Sequence, residues 1–556
     1  MSILVNKYFW LQVLLLSVLL SCKKKEEPVV TPVPADTTSK PLVLDSIRVN
    51  TTDFKVMIPR NISFSHTVIE AVFNEPVDTA GIAGRFLLSP GVPLSVALSD
   101  KNKKVTLTAR DTLSDYEKHF FSISNLLTAA NGKRQFTGFT SAFYTALDST
   151  YKFPQLTDDE LLTLIQRQTF KYFYDFAEPV SGMARERNTS GNTVTTGGSG
   201  FGVMALIVGI SRGFITREEG MTRLTKMVTF LETCDRFHGA WPHWLNGATG
   251  KVVPFSPQDN GADLVETSYM IEGLITMRQY LDTLNSNEKT LRDRIQTLIS
   301  GVQYTWFTRG QNVLYWHWSP DQNWVMNMPI RGYNETLITY ITAAASTTYS
   351  ISKQVYTQGY AQNGAIRNGN TYYGYTLPLG EAYGGPLFFT HYSFLGLDPR
   401  NLQDQYSNYW QQNVNQSLIN YTYCVSNPRN YIGYNSASWG LTASDEPQGY
   451  SAHSPTNDNG VITPTAAISS IPYTPVQSLN TIRHFYYILG DRLWGPYGFY
   501  DAFDVMDGWW ANSYLAIDQG PEICMIENYR SQLLWNLFMS APDVQQGLVK
   551  LGFSFK

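Results

Sequence analysis

The sequence predicts two folded units of different kind, a small N-terminal β-sandwich followed by a mainly helical (α/α)6 barrel. Three observations carry this expectation. Residues 41–150 hold short runs that alternate apolar and polar at period two between turn-forming residues. Residues 151–556 hold helix-start signals followed by apolar positions at three-to-four spacing. Between those helices lie long Gly- and aromatic-rich loops, of the kind that usually carry function.

Composition narrows the classes. Of 556 residues, 43% are hydrophobic and 16% charged, which is enough apolar content to exclude disorder as the dominant state. The 41 Gly follow no fixed period and there are only 4 Cys, so collagen-like and disulfide-scaffold readings fail. A formal net charge of −4 lacks the basic footprint of a nucleic-acid binder. Aromatics reach 14%, and of the 13 Trp all but one follow residue 240.

In chain order, residues 1–21 read as a lipoprotein signal peptide. Lys7 precedes an apolar run from Phe9 to Leu20 that is too short to span a membrane. Leu19-Leu20-Ser21-Cys22 resembles a bacterial lipobox, with Cys22 the lipidated residue. Residues 22–40, Lys- and Glu-rich and then Pro-rich, form a flexible tether. The Lys-Glu-Glu run beside Cys22 resembles the surface-export signal of Bacteroidetes lipoproteins, so an outer-membrane lipoprotein facing the periplasm or the outside is expected. Within 41–150, Val68–Phe73, Lys104–Ala109 and His119–Ser124 read as strands. The stretch Ala71–Asp78 resembles bacterial Ig-like modules, and this unit, without Trp or convergent carboxylates, reads as a spacer.

The barrel opens at Thr157-Asp-Asp-Glu160, a capping box; Thr216-Arg-Glu-Glu219 is a second. Further helices are expected near 202–212, 263–282, 289–306, 334–347, 402–420, 478–490, 508–517 and 524–540. Gly197-Gly-Ser-Gly-Phe-Gly202 follows no strand unit suited to nucleotides and reads as a close-packed helix start. With Cys22 acylated, Cys234, Cys424 and Cys524 read as small buried hydrophobes. No CxxC or HExxH occurs and the 8 His show no zinc-ligand spacing, so neither metal nor cofactor is expected.

The chemistry concentrates in a few segments. Asp259 and Asp263 lie at a helix start, and Glu266 follows one turn further in, where reduced solvation would raise its pKa as a general acid requires. Met183-Ala-Arg185-Glu186-Arg187 and Trp439-Gly-Leu-Thr-Ala-Ser-Asp445 offer two more carboxylates, rivals for a second role. Glycoside hydrolysis needs two carboxyl groups flanking the scissile bond. Trp241, His243, Trp244, Trp318, Tyr333, Asn334, Glu335, His391, Tyr392 and Trp439 lie in successive loops and suit a sugar-lined groove, with Arg185, Arg187 and Asp263 as polar partners.

Together these segments, with Gly332-Tyr333-Asn334-Glu335 and Ala516-Ile-Asp518-Gln-Gly520, resemble glycoside hydrolase family 144, the bacterial β-1,2-glucanases of the glycoamylase-like superfamily. The resemblance covers about 157–550. It implies an (α/α)6 barrel that hydrolyses β-1,2-glucan or its oligosaccharides with inversion, endo or exo, without an essential metal. It implies Glu266 as acid, with Glu186 and Asp445 in base or water-positioning roles; Glu186 departs from the Asp expected in the Arg-x-Arg frame. A non-catalytic glycan-binding lipoprotein and a polysaccharide lyase on the same barrel are the competing readings. The expected partners are a β-glucan and, through the lipid alone, a membrane, with no protein partner inferred.

Overall fold

The computed structural model describes residues 41–130, 132 and 136–555. The signal, Cys22 and the tether lie outside the described residues.

Eight strands form the N-terminal unit: Leu44–Val49 (β1), Thr52–Asp53 (β2), Val68–Phe73 (β3), Phe86–Ser89 (β4), Leu94–Ser99 (β5), Lys104–Ala109 (β6), Lys118–Ile123 (β7) and Phe139–Tyr144 (β8). They make two antiparallel sheets, β2-β1-β3-β6-β5 and β4-β7-β8. Period-two patterning is why: β3 buries Ile69, Ala71 and Phe73 and turns the alternate side chains outward. One core joins the two sheets, with Phe54 set 5.9 Å from the ring of Phe121 and 5.7 Å from that of Phe143. The unit is fastened to the helical part by polar bonds. Arg492 donates to the Asp115 carboxylate at 2.6 Å, and the Tyr144 hydroxyl donates to the Met506 carbonyl at 2.9 Å.

The helical part runs through Asp158–Tyr174 (α1), Thr196–Ser211 (α2), Arg217–Thr233 (α3), Leu264–Tyr280 (α4), Ser286–Ser300 (α5), Leu337–Ala345 (α6), Tyr409–Ser426 (α7), Pro464–Ser469 (α8), Pro475–Tyr487 (α9), Gly490–Leu493 (α10), Ala516–Arg530 (α11), Leu533–Met539 (α12) and Pro542–Leu551 (α13). Both capping boxes form as the residues dictate, Thr157 with Glu160 and Thr216 with Glu219.

Burial sorts the helices into two kinds. In α2, α4, α6 and α11 almost every residue is buried, whereas α1, α3, α5 and α13 bury only one face. The buried helices pack side by side, α11 on α2, α2 on α4 and α4 on α6. A tight segment at 387–394 continues from α6, where Ser393 Oγ accepts from the Ile338 amide. His391 then bonds Ser470 at the end of α8, and α8 packs on α11, which closes a helical barrel.

The closest approach is between α2 and α4. A Cβ on Gly273 would overlap the Gly200 backbone, and one on Gly200 would overlap the backbone of Tyr269 and Met270. The glycine run is therefore a close-packed helix start, as expected from the sequence. Cys234, Cys424 and Cys524 are buried free thiols.

Several helix expectations need correction: the helix expected to run to 306 ends at Ser300, and the one expected over 524–540 is broken at 531–532 between α11 and α12. The chain over 508–515 is not helical: Gly508 closes a turn, Trp509–Trp510 pair with Phe503–Asp504, and helix begins only at Ala516. The helix expected from 402 starts at Tyr409, because Asp404 accepts from the amides of Tyr406 and Ser407 in a turn and Asn408 supplies the cap. The short α8 had no sequence expectation.

Gly273→Ala should lower stability by about 1–3 kcal/mol, because backbone cannot yield as a side chain can. Thermal unfolding followed by circular dichroism checks this. Gly84→Ala, where an added Cβ meets nothing within 4 Å, serves as the neutral control.

Candidate active site

A cavity of about 480 Å³ opens where the buried helices begin. Thr195 enters it from the N-cap of α2, Val265 and Glu266 from the first turn of α4, Glu335 from just ahead of α6, and Leu515 and Ile517 from the start of α11. Four helix N-termini, each with a partial positive charge, thus face one space. The short sheet of Thr193–Thr195 (β9), Trp244–Asn246 (β10) and Val252–Val253 (β11) forms one flank and holds His243 and Trp244 beside α2.

Glu266 is the most constrained carboxylate there. Asp263 caps α4 by accepting from the amides of Val265 and Glu266, both at 2.9 Å, which sets the entry angle of the helix. Glu266 Oε2 then accepts from the Gly197 amide at 2.6 Å and from Thr195 Oγ1 at 3.2 Å. Oε1 is left facing the cavity side, 3.9 Å from His243 Nε2. Burial raises the Glu266 pKa above the ordinary value, and the charge on Asp263 adds to this; His243 and the Gly197 and Thr195 bonds act the other way without cancelling it. Glu335 is raised to about 7, by burial first and then by the charges on Asp263 and Glu266.

Glu186 and Arg187 line the cavity too. Arg187 Nε contacts both Glu186 oxygens at 3.0 Å, and its Nη1 contacts both oxygens of Asp445 at 3.1 Å. Asp445 stands one layer back and is not among the residues that line the cavity. Ser513 Oγ donates to it at 2.6 Å, and its amide donates to Asp501 at 2.7 Å. Asp501 is raised to about 7 by burial and by the charge of Asp445. Asp518, behind it, is raised further by burial and by Asp501. Sequence reasoning missed Asp501 and Ser513, which no local pattern marks.

Of the expected site residues, Glu186, Arg187, His243, Trp244, Glu266, Glu335 and Tyr392 line the cavity. Others have different tasks. Trp241 is fully buried, its indole donating to the Leu231 carbonyl, and Trp439 is a core residue edge-on to Tyr421. Tyr333 is buried and donates to Asn413, while Asn334 accepts from Thr336 at the start of α6. His391 is held neutral, its pKa lowered to about 3 by burial, and bonds Ser470. The Arg185 guanidinium stacks on Phe176 at 4.7 Å, and Trp318 packs edge-on against His238. For Trp241, Trp439, Tyr333 and His391, all buried, the groove-lining expectation is corrected, while Arg185, Asn334 and Trp318 are half-exposed. Core packing takes the large rings, and the local cap takes Asn334. The aromatic lining comes instead from Trp244, Phe255, Trp316, Phe388, Tyr392 and Tyr450, with Phe255 and Tyr450 exposed at the mouth.

Two predictions follow from this geometry. A Cβ at Gly197 would come within 2.6 Å of Glu266 Oε2, so Gly197→Ala should displace the carboxylate and cost turnover far more than it costs thermal stability. A kcat assay on the best glycan substrate, beside an unfolding curve, would show this. The second concerns Glu335. Because its folded-state pKa is raised, the folded protein holds that proton more tightly than the unfolded chain does. The resulting stabilisation is complete below pH 4.5 and is lost as pH climbs through about 7. Glu335→Gln should therefore flatten the fall in Tm across that window, as measured by calorimetry over a pH series.

The relatives agree with this architecture. The glycoamylase family model matches residues 327–542. An exo β-1,2-glucooligosaccharide sophorohydrolase (non-reducing end) of Parabacteroides distasonis is 47% identical over 419 residues. That match takes in 71% of this chain and 58% of the relative, so the chain spans less than two thirds of that curated protein. The crystal structure of an endo-β-1,2-glucanase from Chitinophaga pinensis, with sophorotriose and glucose, superposes with a TM-score of 0.71 at 55% identity. It covers 72% of this chain and 99% of its own. A β-1,2-glucanase structure from Parabacteroides distasonis, 38% identical with a TM-score of 0.71, covers 92% of this chain and 74% of its own. The chain therefore belongs to the bacterial β-1,2-glucanase family, glycoside hydrolase family 144.

Proposed function

We propose that this protein hydrolyses β-1,2-glucan or β-1,2-glucooligosaccharides with inversion. Glu266 acts as general acid, and Glu186, oriented by Arg187, activates the attacking water. One observation carries the reading. A buried carboxyl raised toward its protonated form and a carboxylate ion-paired to arginine line the same cavity. Inverting hydrolysis calls for this division between an acid and a base.

Each step uses groups already placed. The two donors on Glu266 Oε2 fix that oxygen as acceptor, which leaves Oε1 to carry the proton toward the glycosidic oxygen. As the bond to the leaving sugar breaks, Glu186 takes a proton from water on the opposite face of the ring. Arg187, held from its other side by Asp445, keeps Glu186 in one rotamer. The flat faces of Trp244, Trp316, Phe255 and Tyr450 suit the C–H faces of glucosyl rings. The names of the Parabacteroides and Chitinophaga relatives supply the β-1,2 linkage.

The same reading takes α2, α4, α6, α8 and α11, with the 387–394 segment as the sixth member, as the inner ring of an (α/α)6 barrel, and the N-terminal sheets as an Ig-like domain ahead of a catalytic domain starting near residue 151. It places the mature chain on an outer membrane through acylated Cys22, a site suggested by the lipobox-like Leu19-Leu20-Ser21-Cys22.

Linear β-1,2-glucan and short sophoro-oligosaccharides, incubated with the protein and chromatographed, test the proposal. A ladder of products indicates endo cleavage and sophorose alone indicates exo release; no product at all overturns the assignment. Glu266→Gln should lose about 10²–10⁴-fold in kcat. Azide should restore turnover to Glu186→Ala with formation of an α-glycosyl azide. Rescue of Asp445→Ala in its place would move the base to Asp445.

A further inference from the structure

Beside Glu266, running back from the cavity wall at His243, four polar side chains converge without a complete set of partners. The pairing of Ala262–Asp263 (β12) with His317–Trp318 (β13) sets Asp263 opposite His317. The loop closed by the Ser256–Asp259 bridge brings Asp259 against both, and His243 completes the group. Asp263 Oδ1 is spent on capping α4, so Oδ2 alone faces the cluster, 3.1 Å from His243 Nδ1 and 3.8 Å from His317 Nδ1. Asp259 presents Oδ2 to His243 Nδ1 at 3.8 Å and Oδ1 to His317 Nδ1 at 3.4 Å. His317 is 9% exposed and Asp259 5%, and neither His317 Nδ1 nor Asp259 Oδ1 has a hydrogen-bond partner.

We propose that His243, His317, Asp259 and Asp263 form a structural zinc(II) site. In tetrahedral coordination, Zn–N and Zn–O bonds of roughly 2.0–2.2 Å put ligand atoms about 3.3 Å apart. Asp263 Oδ2 lies 3.1 Å from His243 Nδ1 and 3.8 Å from His317 Nδ1, close to that edge length, and Asp259 reaches the two imidazoles through different oxygens. The ligand atoms of His243, Asp259 and Asp263 all lie within 4.8 Å of one another. Two neutral imidazoles and two carboxylates around Zn²⁺ sum to zero charge, which removes the cost of burying two aspartates. Ion binding also satisfies the two orphaned atoms at once. His243, Asp259 and Asp263 supply three ligands, and His317, whose Nδ1 stands 3.4 Å from Asp259 Oδ1 and 3.8 Å from Asp263 Oδ2, is the fourth that a closed structural site requires.

The site has a consequence for the cavity. With Nδ1 of His243 on the metal, its proton must sit on Nε2, which points at Glu266 Oε1 3.9 Å away. Zinc would fix both the tautomer and the ring orientation beside that carboxyl. It would also pin the 256–263 loop and the 317 strand to the start of α4. The proposal stands independently of the substrate.

Full-length protein, expressed with zinc and freed of any histidine tag, tests this by elemental analysis. One zinc per chain is expected, with His317→Gln and Asp259→Asn each reducing occupancy at least tenfold. Because either variant could fail to fold, wild-type protein stripped with chelator provides a second readout. Adding zinc should raise its Tm, and adding cobalt(II) should produce the intense visible band of tetrahedral coordination. Substoichiometric zinc at saturating supply, with no Tm shift and no cobalt band, would overturn the proposal. The group would then be a hydrogen-bonded histidine–aspartate cluster, with His243 Nδ1 3.1 Å from Asp263 Oδ2.

Discussion

Everything in the helical unit depends on how closely α2 and α4 can approach. Gly200 and Gly273 remove the side chains that would otherwise hold the two backbones apart, and Gly197 extends that contact to the cavity. Because α2 begins so near α4, the first free amide of one helix reaches the first-turn carboxylate of the other. A residue of ordinary size at any of these positions would move Glu266 away from its anchors. The glycines lower local helix propensity, and what they give in return is a carboxyl placed by backbone rather than by flexible side chains.

The electrostatics follow from the same packing. Helix N-termini favour negative charge, and carboxylates accumulate around their shared opening. Burial works against that charge, and at Glu266, Glu335, Asp501 and Asp518 burial is the larger effect. Glu186 and Asp445 are treated differently, since both are tied to one arginine. A carboxyl that can keep a proton and a carboxylate held by a cation thus arise within one cavity from different neighbours. In the proposed function, this separation of environments assigns acid and base work to chemically similar groups.

What could be read from the sequence was what is decided locally. The capping boxes at Thr157 and Thr216, the strands at 68–73 and 104–109, and the acidic start of α4 each depend on residues a few positions apart. The glycine run was recognised as a packing device, but its amide bond to Glu266 spans distant segments and left no local trace. Tryptophan misled in a specific way. Trp241 and Trp439 sit in loops beside His and Gly as a sugar platform would, yet fill the core, because a loop sequence does not encode which face its rings present. His243 and His317 lacked zinc-like spacing, since a strand pairing, and not a helix turn, brings them together. Asp404 and the Trp509–Trp510 strand pairing show tertiary context overriding an apparent helical period.

The central claim is that burial keeps the proton on Glu266 despite two hydrogen bonds that favour its loss. Infrared difference spectroscopy of wild type against Glu266→Gln, titrated over pH, measures this directly through the carbonyl stretch of the protonated acid. The account predicts a difference band that persists above pH 4.5, the ordinary glutamate value. A band that vanishes at or below that value would contradict it.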